Sequence, residues 1–198
     1  MTQIIIGIIL ILGIAFYFVS CRNKANSNIN QTIADQDTSK SKVINTKEKA
    51  FEGLRNMAFS VTPNQLGITV SSNETIVYGI IMDWGMDGAI ATTVSYQTGD
   101  ASLYLSSGGG VIGGGKHQNV NNAAKLFVKV AQTFLDKTKK TETTTLPVKD
   151  VVKFFLLTNK GIFVVQESMT NFENKSSLLL KLFEEGNNLL TELRKISE

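Results

Sequence analysis

Residues 4–19 of this chain, IIIGIILILGIAFYFV, form an uninterrupted apolar run, and residues 22–45 that follow are mostly Asn, Ser, Thr, Lys, Gln and Asp. That contrast constrains the chain more than any other feature. A buried core helix is bounded by domain sequence on both sides, whereas this run lies between a short polar start and a polar tract. Thr2, Gln3, Ser20 and Cys21 extend it to about 20 residues, the length that crosses a bilayer. We therefore read 1–21 as a membrane anchor or lipoprotein signal. Residues 22–45 read as a disordered polar tether, too poor in apolar side chains to offset the entropy of ordering. The remainder, 46–198, reads as one globular domain, long enough to bury a core.

The anchor has two readings. As an uncleaved single span through residues 4–20, it is flanked by Arg22 and Lys24 on its C-terminal side and by no basic residue before it. That asymmetry directs the domain to the cytoplasm. As a bacterial lipoprotein signal, Phe18-Val19-Ser20-Cys21 resembles a loose lipobox, with Cys21 as the lipidated residue and the domain in the periplasm or at the outer membrane. Phe18 stands where Leu is usual, and Met-Thr-Gln carries no positive n-region.

Charge narrows the partners. Arg22, Lys24, Lys40 and Lys42 precede residue 46, so much of the net +3 lies outside the domain, which is close to neutral. With arginine only at 22, 55 and 194, no basic stripe is available, and nucleic acid is set aside as a partner. The single cysteine excludes an internal disulfide, and with His117 the only histidine a multi-histidine zinc site is excluded too. No cofactor is expected.

Hydrophobic periodicity gives the order α-βββ-α-ββ-α. A helix over 47–58, capped by Thr46, carries Phe51, Leu54 and Ala58 on one face. Thr62-Pro63 opens a short turn. Residues 75–83, nearly all apolar, suit a central strand, with Gly79 marking a bulge. Residues 89–97 and 101–106 complete a meander. A helix over 119–136, capped by Asn119 or Asn121, buries Ala123, Phe127, Val130, Ala131 and Phe134. Residues 151–158 and 161–168 form a hairpin turned at Asn159-Lys160-Gly161. A last helix over 172–196 is weakened by Gly186. The fold expected is α+β, one mainly antiparallel five-stranded sheet with helices on one or both faces. This element order resembles that of profilin-like and roadblock/longin-like folds, by analogy only, and fold does not imply function.

The densest local signal is GGGVIGGGKH, residues 108–117. It comes near the phosphate-cradle pattern G-x-x-x-x-G-K-[ST], but His117 replaces the Mg²⁺-binding hydroxyl and the sheet is antiparallel. Three readings remain. Gly108, Gly109, Gly110, Gly113, Gly114, Gly115, Lys116 and His117 bind a small ligand or anion through backbone N–H groups. Val111 and Ile112 form an apolar contact tip on glycine arms. Or the glycines allow closely packed backbone to cross, with Val111 and Ile112 filling the core. Asp83, Asp87 and Asp100 read as turn residues rather than a Ca²⁺ site, Trp84 as sheet-edge packing, and Lys137-Thr138-Lys139-Lys140 as a solvated connector, or one drawn to an anionic membrane surface.

No nucleophile, base and orienting acid assemble in the sequence. The function expected is a membrane-tethered, non-catalytic interaction or sensor domain. The alternatives are a ligand- or anion-binding protein or an enzyme using 108–117, and a structural envelope lipoprotein.

Overall fold

The computed structural model describes residues 35–70 and 73–197, with side chains from residue 46 onward. The segment 1–21 read as a membrane anchor or lipoprotein signal, Cys21 included, and residues 22–34 of the expected tether lie outside the described residues. Among the described residues no helix is long and apolar enough to cross a membrane.

The domain is α+β, built on one antiparallel sheet. Helix α1 (Asp35–Ser60) leads through a short turn at Asn64–Leu66 to β1 (Val77–Met86), β2 (Ala89–Tyr96), β3 (Ala101–Leu105) and β4 (Gly110–Val111). Helix α2 (Gln118–Gln132) is followed by β5 (Lys139–Thr141), β6 (Val151–Thr158), β7 (Gly161–Ser168), α3 (Met169–Glu173) and α4 (Leu180–Lys195). The strand order is β4-β3-β2-β1-β6-β7-β5, so the meander and the hairpin join along β1 and β6.

Seven strands replace the expected five. The additions, β4 and β5, have two and three residues, too few for alternation to register. One lies inside the glycine run and the other inside the lysine-rich connector. The bulge expected at Gly79 is present: Val77 pairs with Thr158 and Gly79 with Leu157, so β1 carries an extra residue there.

One face of the sheet bears the larger core. Ile80, Met82, Phe154 and Leu156 point from the central strands into Phe127, Val120, Ala124, Leu182, Leu189 and Leu193 of α2 and α4. Gly186 of α4 is buried, and a Cβ there would lie 2.6 Å from Met82 Sδ and 3.0 Å from Phe127. The residue expected to weaken the helix also lets it approach the sheet. The opposite face is covered by α1, through Phe51, Ala58 and the half-buried Leu54 and Phe59, and by the connector 142–150.

Three boundaries differ from expectation. Helix α1 begins at Asp35, so residues 35–45, expected in the tether, are helical. The final helix is two helices. Between them Glu167 accepts hydrogen bonds from Ser168 N, Asn171 Nδ2 and Ser177 Oγ, and Asn171 O accepts from Ser176 N and Ser177 N. This polar cluster, with Lys175 at φ +56°, turns the chain between Phe172 and Leu179, both still in the core. Helix α2 is capped by neither expected asparagine. His117 holds the N-cap position without a side-chain bond, and Asn121 Nδ2 donates to Gly115 O at 3.1 Å.

Candidate functional site

Each part of the glycine run has its own place. Residues 105–110 turn β3 into β4, with Gly108 N donating to Leu105 O at 2.9 Å. Gly110 has φ +140°, and a Cβ there would lie 2.0 Å from Leu103 O, so only glycine allows this pairing. Gly114 is buried under α4, where a Cβ would meet Leu193 at 2.6 Å. Gly113 and Gly115 flank it in the turn that leads to α2. Lys116 and His117 are exposed. Val111 pairs with Leu103 and packs against the larger core, while Ile112 is 69% exposed. The candidate binding residues thus divide. Gly108 and Gly109 border a cavity of about 260 Å³ beneath α1, with Lys47, Ala50, Leu54 and Tyr104. Gly113, Gly114, Gly115, Lys116 and His117 lie beyond it, at the start of α2.

The three aspartates are not brought together. Asp87 pairs at the surface with Lys149, and Asp100 accepts from Thr98 Oγ1. Asp83 lies within β1, 0% exposed, facing α1. Its carboxylate accepts from Arg55 Nε at 3.0 Å, from Arg55 Nη2, and from Thr92 Oγ1 on β2. Arg55 is itself only 5% exposed and lies over the rings of Phe59 and Phe155, 4.7 and 5.6 Å from their centroids. A helix face of Phe51, Leu54, Arg55 and Ala58 has therefore buried a charge, and the sheet answers it with one carboxylate. Two phenols complete the dock: Tyr96 donates to Ala58 O at 2.8 Å and Tyr78 to Val61 O at 2.9 Å. Burial raises the pKa of Tyr78. For Tyr96 burial, then the neighbouring Tyr104 and Tyr78 and then Asp100, raise it well above the usual phenol value.

The connector 142–150 is the second cover on this face. Pro147 is buried. Val148 O occupies the space where a Cβ on Gly85 would lie, at 2.1 Å, and Asp150 N donates to Gly85 O. Lys153 of β6 holds the connector from below, donating to Thr145 O at 3.1 Å, Thr145 Oγ1 at 3.0 Å and Leu146 O at 3.3 Å. Between connector and helix runs a groove of about 460 Å³, walled by Glu52, Asn56, Thr144 and Leu146, with Phe51 and Arg55 at its base. Leu146 is 39% exposed on its rim, and Val148, beside it on the connector, is 72% exposed.

Neither the Arg55–Asp83 pair nor the groove follows from the motif search. A faint signal exists for the pair: Arg55 interrupts an apolar helical stripe, and Asp83 interrupts an apolar strand. The groove has no such signal, because it depends on where an irregular connector crosses the sheet. Among the described residues no group of three His, Cys, Asp or Glu side chains is placed to hold a metal ion. No family model, curated protein or solved structure matches this chain.

Proposed function

We propose that this chain is a membrane-tethered, non-catalytic interaction or sensor domain whose contact surface is the groove between α1 and the connector. The observation that carries the reading is the groove's position on α1, the helix that joins the domain to the N-terminal apolar segment. Its rim presents Leu146 to solvent, with Val148 exposed two residues further along the connector, and its base is fixed by a buried ion pair that leaves little freedom for α1 to shift. A rigid apolar-rimmed groove with polar walls suits an extended or helical protein segment. The charge flanking residues 4–20 favours a cytoplasmic domain. Acylation at Cys21 would reverse that side without changing the surface.

Photo-crosslinking tests the reading. A photoreactive phenylalanine is placed in the full chain at Leu146, at Val148 or at Leu178, a control 82% exposed between α3 and α4. We expect one discrete adduct in the membrane fraction from 146 and 148 and none from 178. The same adducts from all three positions, or none from the groove, would contradict the reading. The glycine run supports a second reading only through Gly108 and Gly109 in the small cavity under α1. A thermal shift with phosphate that Lys47→Ala abolishes would favour it.

A further inference from the structure

A further cavity on the α1 face, of about 350 Å³, shares Thr145 with the groove and lies over β6, β7 and β5. Phe155 and Val164, paired across β6 and β7, line it. The register sets Lys139 opposite Val164, and Lys153 two residues before Phe155, so both lysines leave the sheet on this face. Lys137 adds a third ammonium to the lining, which contains no carboxylate. Lys137 is engaged by Asp136, and Lys153 by the connector. Lys139 pairs through its backbone with β7, but its ammonium makes no hydrogen bond or ion pair among the described residues. In a domain close to neutral, this is a local excess of positive charge over an apolar floor.

We propose that this cavity binds a small amphipathic carboxylate, with its apolar body over Val164 and its charge beside Lys139 and Lys153. Like charges around one recess repel, and an anion relieves that repulsion. Ammonium groups act as point charges and take a carboxylate without a fixed bidentate geometry. An apolar body removes water from the half-buried Val164, beneath which Phe155 is already buried. A bare anion does only the first and a neutral apolar molecule only the last, so the site selects a ligand with both parts. The volume falls in the range of small-molecule sites. The site needs no protein partner, so this proposal and the groove reading fail separately.

The test is a fluorescence titration of the full chain, in nanodiscs of neutral phosphatidylcholine, with 2-naphthoate. Uncharged 2-naphthalenemethanol, acetate and inorganic phosphate are run in parallel. We expect saturable naphthoate binding, at least about tenfold tighter than any of the three. Lys139→Gln, which breaks no hydrogen bond or ion pair of the ammonium, should weaken it by about tenfold, while Lys116→Gln leaves it unchanged. Lys153→Gln should also weaken it but loosens the connector, so Lys139→Gln decides. No saturable binding, equal binding of phosphate or the alcohol, or indifference to Lys139→Gln would each overturn the proposal.

Discussion

Arg55 and Asp83 lie where water scarcely reaches, so each is tolerable only because of the other. Removing one partner strands a buried charge, at a cost of about 3–5 kcal/mol. We predict such a loss for Asp83→Ala in denaturant melts, and a much smaller one when Arg55→Met accompanies Asp83→Leu. Equal and additive losses would mean that the pair is not coupled. Tyr96 carries a pH signature. Its folded pKa lies above the unfolded value of about 10, so its contribution is complete below pH 10 and is lost as the pH rises beyond it. Tyr96→Phe should cost about 1 kcal/mol at pH 7, through the bond to Ala58 O, yet lose stability less steeply above pH 10. Stability curves from pH 7 to 11 check both signs. Thr93 Oγ1 is buried facing the larger core without a hydrogen-bond partner. Thr93→Val should therefore raise stability, by about 1 kcal/mol in the same melts.

The connector is the element on which the groove depends. Gly85 leaves room for Val148 O, and any side chain there meets backbone rather than a flexible side chain. Gly85→Ala should lift the connector while the sheet persists, seen as faster tryptic cleavage after Lys149 with unchanged far-ultraviolet circular dichroism. Unaltered cleavage would mean that the connector is held elsewhere. Elements of this kind separate what the residues announce from what they do not. Strands β1, β2, β6 and β7 and the core of α2 are legible because each has enough apolar positions to display a period or a continuous apolar run. The two- and three-residue strands have none, and they are made by neighbours that offer an edge. The break between α3 and α4 is invisible to periodicity, since Phe172 and Leu179 continue the stripe across it. It comes from Glu167, a residue outside either helix. For the glycine run, conformation and close packing at Gly110 and Gly114 account for residues that a motif scan attributes to ligand binding.

At the scale of the whole molecule, the sheet divides two tasks. One face is closed by α2, α3 and α4 into the larger core, which fixes the fold. The other is covered by α1 and an irregular strap, leaving recesses between covers that are each held by few polar contacts. Helix α1 stands in sequence between the apolar N-terminal segment and the sheet, and its residues 46–50 are all exposed before the docked stretch begins at Phe51. A partner seated in the groove would touch both the docked part of this helix and the connector. The most direct test is hydrogen exchange of the full chain in its native membranes against the purified chain in nanodiscs, read at the connector amides of 142–146 and 148, which lie outside the strand ladders. The groove account predicts slower exchange there in native membranes and none of that slowing for residues 174–179. Unchanged exchange at 142–148, with added protection confined to 108–117, would contradict it and move the contact surface to the glycine loop.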